Sequence, residues 1–175
     1  MSDCVYPCPC GYYGDSQKPC SCAHAMVTKY QKRISGPLLD RIDIHIEVPR
    51  VDYEKLSGDR LGESSETIRT RVQAARNIQQ ARFTNPHSHI SNNGSSSDII
   101  CNADMRVGEI RQFCRLQDEG QSLMRAAMTQ LNLSARAYHR ILKLARTIAD
   151  LAGSDEILSV HLAEALQYRP KLMMV

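Results

Sequence analysis

Four cysteines near the start of the chain are spaced closely enough to bind one metal ion together. They form two C-x-C pairs, Cys8 with Cys10 and Cys20 with Cys22. Zn²⁺ takes four thiolate sulfurs in a tetrahedron. The C-x-C spacing strains that geometry compared with the common C-x-x-C spacing, and Cys4 or His24 offers a substitute ligand. A structural zinc site, free thiols and a redox switch therefore remain as alternatives.

The acid–arginine pair Asp40-Arg41 is a second candidate for chemistry. It follows the breaker Ser35-Gly36-Pro37 and precedes the segment Ile42–Val48, in which β-branched and polar residues alternate. This alternation predicts a strand with one buried face. The pair is either a surface ion pair, which contributes little, or a functional group, because open α/β folds place function at strand ends.

The polar face of the same predicted strand carries Asp43, His45 and Glu47. Their alternation puts the three side chains on one side of the strand. They are either ligands of a metal ion or a polar surface that is covered by water or by another domain. One strand is not stable without sheet partners, and the rest of the sequence predicts none. We therefore expect the chain to be a part cut from a larger protein.

Arg136 lies two residues after Ser134, which is placed to cap a helix. A cation in a first helical turn is disfavoured by roughly 0.3–1 kcal/mol when exposed. A helix N-terminus with an added arginine is also a good anion site. Arg136 is therefore either a solvated side chain or an anion-binding one.

Most of the remaining sequence has helical periodicity. The second predicted helix has an apolar stripe at Ile68, Val72, Ala75 and Ile78, and its arginines, Arg82 among them, are expected on its surface. Asn102, Ser134 and Ser159 are expected to cap later helices. The predicted helices cover Met26–Arg33, Glu66–Phe83, Asn102 to about Arg115, Asp118–Leu131, Ser134 to Gly153, and Ser159 to Pro170. A polar loop is predicted over 84–98.

The composition is that of a globular protein. The chain has 175 residues, 42% hydrophobic and 23% charged, with a net charge of +3 that is too small to indicate a nucleic-acid partner. No run approaches the ~20 apolar residues that span a bilayer, and no signal-peptide pattern is present. We expect a cytoplasmic location. Seven cysteines cannot all pair in disulfides within one chain.

Two long segments carry a family resemblance: SGPLLDRIDIHIEVP, and LSARAYHRILKLARTIADLAGSDEILSVHLAEALQYR. Together with PCPCGYYGD they resemble the C-terminal part of the ComM/YifB family of magnesium chelatase-like AAA+ ATPases. The resemblance implies a mainly α fold, in which the last strand of an AAA+ α/β core (1–50) and a linker (51–63) precede a helical lid (64–175).

The resemblance also implies roles for single residues. Arg41 matches the arginine finger that reaches the nucleotide of a neighbouring subunit, with Asp40 orienting it. Arg136, in the Ser-Ala-Arg that opens a lid helix, matches the sensor-2 residue that contacts ATP phosphates. The implied parent protein is a ring, expected to be a hexamer, that uses ATP and Mg²⁺ and acts on DNA in natural transformation.

The sequence also departs from the family pattern. It contains no G-x-x-x-x-G-K-[ST] phosphate-binding loop. Family members carry that loop, an acidic strand and a sensor-1 Asn before the PCPCG segment, and a Lon-protease-like domain further upstream. The chain by itself is therefore not expected to hydrolyse ATP.

Two functions of other classes compete with this interpretation. A zinc-stabilised nucleic-acid-binding protein would use the cysteines and the arginine-rich helix, and predicts DNA binding that weakens steeply with salt. A helical interaction module without catalysis predicts neither zinc nor nucleotide binding. Neither alternative explains the single strand.

Overall fold

The computed structural model describes residues 5–48, 51, 53, 57–58, 62–84 and 99–169. The 84–98 loop beyond Thr84, most of the 51–63 linker and Cys4 lie outside these residues. The described part is mainly helical, as predicted. Its helices are α1 (His24–Gln31), α2 (Gly36–Leu39), α3 (Ser65–Thr84), α4 (Val107–Phe113), α5 (Asp118–Gln130), α6 (Ala135–Leu151) and α7 (Ser159–Gln167), with a 3₁₀ turn at Asn102–Asp104.

The chain divides into two compact units. Unit 1 contains the described residues 5–42, 46–48, 51, 53 and 57–58. Unit 2 contains residues 43–45, 62–84 and 99–169. Unit 1 therefore holds α1 and α2, and unit 2 holds the remaining helices.

The hydrophobic core of unit 2 is built around α6. This helix packs against α7, α3 and α4, and α5 packs against α7. Ile141, Ala145 and Ala149 of α6 are buried at four-residue intervals and meet Leu162 and Ala165 of α7. An amphipathic helix is stabilised mainly by such burial of its apolar face.

Helix ends in unit 2 confirm one predicted cap and correct two others. The Ser134 Oγ accepts a hydrogen bond of 3.1 Å from the Ala137 amide, and Gly153 takes a φ of +68° just past the end of α6. Asn102 caps no long helix, because its side chain is buried among polar partners and α4 begins only at Val107. Ser159 is also not a cap, because Leu158 holds that position and its amide donates to His161 Nδ1 at 3.1 Å.

Helix α3 matches the predicted position, but its surface differs from the prediction. The residues buried on it are Ala75, Gln79 and Phe83, while the apolar Ile68 and Val72 remain about two-fifths exposed. Arg82, expected on the surface, has a side chain only 13% exposed because it pairs with Asp150 of α6.

The strand predicted over residues 42–48 does not form among the described residues. The segment has no ladder partner, and the pairing present in the described part is an isolated bridge between Leu116 and Ile157. An alternating sequence needs a neighbouring strand to become a sheet. One backbone hydrogen bond connects the segment to the rest of unit 2, because the His45 amide donates to the Tyr168 carbonyl at 2.9 Å.

No helix in the described part of the chain has both the length and the apolar character to cross a membrane.

Candidate functional site

The four cysteines of the two C-x-C pairs converge in unit 1. The sulfurs of Cys8, Cys10, Cys20 and Cys22 all lie within 4.8 Å of one another. Cys8 Sγ is 3.3 Å from Cys10 Sγ and 3.7 Å from Cys20 Sγ, and the sulfurs of Cys10 and Cys20 are 3.5 Å apart. Cys8 is fully buried. His24, considered as a substitute ligand, is instead the first residue of α1 and is not part of this group.

Two tight turns make this convergence possible despite the C-x-C spacing. In the first, the Gly11 amide donates to the Cys8 carbonyl at 3.0 Å, and Gly11 adopts a φ of +82° that favours glycine. In the second, Asp15 Oδ1 accepts from the amides of Gln17 and Lys18, at 2.8 and 3.1 Å. This local capping by an aspartate is typical of turns. This second turn lies between the two cysteine pairs, whose sulfurs come together in the structure.

The sulfurs in the cluster differ in how readily they ionise. The Tyr12 backbone amide, assisted by the Cys8 thiol, lowers the pKa of Cys10 to about 5 against the effect of burial. The Cys22 amide favours the thiolate of Cys20, but burial and the Cys10 and Cys8 thiols raise the pKa of Cys20 to about 12. Adjacent like charges oppose each other. A cation bound between the sulfurs would favour the thiolate form of each of them.

The acid–arginine pair lies at the end of α2 in unit 1. Pro37 stands in the first turn of α2, after an extended Ser35. The Asp40 amide donates to the Gly36 carbonyl at 2.9 Å, and the Arg41 amide donates to the Leu38 carbonyl at 3.0 Å. Arg41 is exposed and Asp40 is half-buried. The predicted breaker therefore forms a short helix that holds the pair at its end.

Arg136 lies in unit 2, in the first turn of α6, and is exposed. Within the described ranges, no carboxylate forms a salt bridge with Arg136. The Ser134 cap satisfies the Ala137 amide. This end of α6 contains no acidic residue in its first turn, so the positive end of the helix and the guanidinium have the same sign.

The three polar residues of the predicted strand do not converge on one site. Asp43 forms a salt bridge of 2.8 Å with Arg140 of α6. Both nitrogens of the His45 ring are buried without a hydrogen-bond partner among the described residues. Glu47 is exposed and belongs to unit 1, whereas Asp43 and His45 belong to unit 2.

A buried polar network in unit 2 was not anticipated from the sequence. Asp150 accepts from Arg82 at 2.9 Å, from Arg146 at 3.0 Å and from Asn102 at 2.7 Å. Arg146 also donates to the carbonyl oxygens of Ser154 and Asp155, at 2.5 and 2.7 Å. The four-residue spacing of Arg146 and Asp150 within the buried face of α6 was the available signal. This network connects α3, the 3₁₀ turn and α6.

Comparisons with known proteins identify the class of this chain. The profile of magnesium chelatase subunit ChlI matches residues 3–56, and that of the ChlI C-terminal region matches residues 62–169. Competence protein ComM of Haemophilus influenzae is 41% identical over 165 residues, 93% of this chain and 29% of that protein. YifB of Escherichia coli strain K12 is 38% identical over 164 residues, which are 93% of this chain and 29% of that protein.

A more distant relative, Rv2897c of Mycobacterium tuberculosis, is 32% identical over 163 residues, 93% of this chain and 30% of that protein. The helical unit 2 and the profile matches define a magnesium chelatase-like protein. Within that class, the chain belongs to the ComM/YifB family. The chain spans less than a third of the length of these relatives.

Proposed function

We propose that this chain is the C-terminal part of a ring-forming AAA+ ATPase that couples ATP hydrolysis to DNA remodelling, such as helicase or branch-migration activity. The observation that carries the proposal is the match of the chain to magnesium chelatase profiles over residues 3–56 and 62–169. In this proposal the chain supplies two arginines that act on ATP, while the phosphate-binding loop and the groups that hold Mg²⁺ lie elsewhere in the parent protein.

Arg136 is proposed to contact the phosphates of ATP bound by its own subunit. Its exposed position in the first turn of α6 supports this role. The backbone amides of a first turn and the helix dipole attract an anion. The helix dipole disfavours the positive charge of the guanidinium at this position, and a bound phosphate group would neutralise that charge. An anion at the N-terminus of α6 would thus remove an unfavourable interaction that the isolated chain retains.

Arg41 is proposed to act in trans, on the ATP of the adjacent subunit of the ring, with Asp40 orienting its side chain. The exposure of Arg41 and the short helix that ends beside it are compatible with contact to a second subunit. An arginine of this kind stabilises the charge that spreads over the phosphoryl group during transfer, which contributes ~10³–10⁵ in rate in other ATPases and GTPases. The proposal therefore requires an oligomer, for which we favour a hexamer.

DNA is proposed as the substrate that the ring moves. The support is the H. influenzae relative, which is named for competence. Exposed arginines on α3, such as Arg69 and Arg76, offer contacts to phosphates. A cytoplasmic location agrees with this role and is part of the same proposal.

A chimera tests the proposal: this chain replaces the matching 165-residue segment of the H. influenzae relative. We expect the chimera to hydrolyse ATP, and Arg41→Ala to reduce kcat by at least ~10³ while ATP binding is retained. Arg136→Ala should weaken both binding and hydrolysis. Arg33→Ala and Arg125→Ala, which remove exposed arginines from the same two units, should have little effect.

Subunit mixing separates action in trans from a structural effect. Arg41→Ala subunits are combined with subunits that lack the Lys of their own phosphate-binding loop. Each variant alone should be inactive, and the mixture should regain part of the activity, because one partner supplies the finger and the other the nucleotide site. Normal turnover by Arg41→Ala would overturn the assignment. An inactive chimera, together with salt-dependent DNA binding by this chain alone, would favour the zinc-stabilised nucleic-acid-binding alternative.

A further inference from the structure

We propose that Cys8, Cys10, Cys20 and Cys22 bind one structural Zn²⁺ ion, which holds unit 1 in its folded form. The proposal is independent of ATP hydrolysis and rests on the geometry of the four sulfurs and on the scarcity of other buried groups around them.

The spacing of the sulfurs fits zinc. Zn–S bonds of ~2.3 Å in a tetrahedron place the sulfurs roughly 3.8 Å apart. The three separations among Cys8, Cys10 and Cys20 are 3.3, 3.7 and 3.5 Å, and Cys22 Sγ lies within 4.8 Å of the others. A disulfide would need sulfurs ~2.05 Å apart. Small movements of the side chains would therefore complete a metal site, whereas a disulfide would require two sulfurs to approach each other by more than about 1 Å.

The cysteine loop has few other interactions that could keep it folded. Among the described residues of unit 1, only Cys8 and Val27 are fully buried. Residues 5–23, which carry all four thiols, contain no helix or strand. One of the few links from this loop to α1 is the 3.1 Å hydrogen bond from Gln31 Nε2 to the Pro7 carbonyl. Small units with so little apolar core commonly depend on a metal or on disulfides.

The donor set also indicates the role of the metal. Four cysteine ligands leave no coordination position for water or substrate, which is the pattern of structural zinc sites. The Cys22 amide donates to Cys20 Sγ at 3.4 Å. Such a hydrogen bond orients a metal ligand and tunes it from outside the coordination shell. We infer that the ion fixes the two turns of the loop and takes no direct part in catalysis.

Elemental analysis tests the proposal on the complete 175-residue chain, purified without chelator and dialysed against metal-free buffer. We expect about one zinc per chain. Cys10→Ser and Cys20→Ser should each reduce the zinc content at least tenfold. The matched control is Cys101→Ser, which changes a thiol of unit 2 outside the cluster and should retain the full zinc content.

Cobalt reports the geometry independently of folding losses in the serine variants. Replacing zinc by Co²⁺ in the unaltered chain should give thiolate-to-metal charge-transfer bands and the intense visible bands of a tetrahedral site. A chain without metal and with freely reactive thiols, a chain with disulfides, or a chain loaded with iron would each overturn the proposal.

Chelation tests the structural role. A strong chelator should abolish hydrogen-exchange protection at amides of unit 1, such as those of Gly11 and Lys32, while the amides of α6 and α7 in unit 2 remain protected. If zinc is bound but its removal leaves the protection of unit 1 unchanged, the proposed structural role is wrong. If both units lose protection, the effect is general unfolding and the assignment to unit 1 fails. Neither result bears on the proposed ATPase function, which the chimera experiment tests separately.

Discussion

The two units of this chain are stabilised by different kinds of interaction. Unit 2 surrounds α6 with apolar side chains from α3, α4 and α7, and buries a charged network beside them. Unit 1, in its described residues, buries Cys8 and Val27 and gathers four sulfurs within 4.8 Å. Burial of apolar surface provides most of the stability of an ordinary domain. Among its described residues, unit 1 has little of that contribution, and it has a cluster of four thiols that could hold a metal ion where unit 2 has an apolar core.

The two arginines proposed to act on ATP lie in these two different units. If unit 1 binds zinc as proposed, the ion would allow this unit to hold an exposed residue on a short helix without a large core beneath it. Arg41, at the end of α2, is in that situation. Arg136, in contrast, lies on α6, which has seven buried residues, so its position is fixed by packing along that helix. We expect the two arginines to respond differently to metal removal and to core substitutions.

The largest expected effect within unit 2 comes from Asp150→Asn. Asp150 is fully buried between Arg82 and Arg146, so loss of its charge leaves two arginines without compensation. Breaking a buried ion pair by removing one partner costs ~3–5 kcal/mol. Chemical denaturation followed by circular dichroism should show a loss of this size.

The control for Asp150→Asn is Asp155→Asn, which removes the same charge from an exposed position near the end of α6. It should change the free energy of unfolding by no more than about 0.5 kcal/mol. Zinc content should be the same in both variants, because the network and the cysteines belong to different units. A loss below ~1 kcal/mol for Asp150→Asn would show that the network is not a major source of stability.

The buried network also shows where prediction from the sequence ends. Helices α3, α5 and α6 were predicted to within a few residues, because apolar residues three and four apart indicate a buried helical face. In contrast, α4 begins later than predicted, and α2 was expected only as a chain breaker. Arg82, Arg146 and Asp150 are charged, and charged residues on a helix are usually exposed. Arg82 and Asp150 are 68 residues apart in sequence. Their pairing depends on how α3 packs against α6, which periodicity within one helix does not determine.

The cysteine cluster was predictable in a different way. Residue type and grouping along the sequence identified four candidate ligands but left a zinc site, free thiols and a redox switch as alternatives, because the C-x-C spacing is unfavourable for one metal ion. The structure relieves the strain with backbone turns, one of them at Gly11 with its positive φ. The strand predicted over residues 42–48 does not form among the described residues. Alternation indicates the two faces of a strand, but it does not provide the neighbouring strand with which it must pair.

Ser134 and Ser159 were both expected to cap a helix, but only Ser134 does so. Ser134→Ala should reduce the stability of unit 2 by ~1 kcal/mol, because it removes the 3.1 Å bond to the Ala137 amide. Ser159→Ala should cost a few tenths of a kcal/mol at most, since Leu158 occupies the cap position and His161 accepts from its amide. Thermal unfolding of both variants provides the measurement. Equal losses would contradict the assignment of the caps.

The smallest expected effect concerns the segment Asp43–His45, which belongs to unit 2 although the residues on both sides of it belong to unit 1. Asp43 pairs with Arg140, 97 residues away, and both side chains are partly exposed. A double-mutant cycle with Asp43→Asn and Arg140→Gln should give a coupling energy of ~0.2–1 kcal/mol, as for other surface ion pairs. Added salt should reduce it.

The pair Glu63–Arg71 serves as the comparison for this cycle, because it is also exposed but lies within one continuous stretch of unit 2. Coupling energies of similar size would mean that Asp43–Arg140 is an ordinary surface ion pair. A markedly larger value at position 43 would mean that the segment is held firmly, with the His45–Tyr168 backbone hydrogen bond contributing. No measurable coupling at low salt would contradict the contact between Asp43 and Arg140, and the backbone hydrogen bond from His45 to Tyr168 would then be the interaction that holds this segment in unit 2.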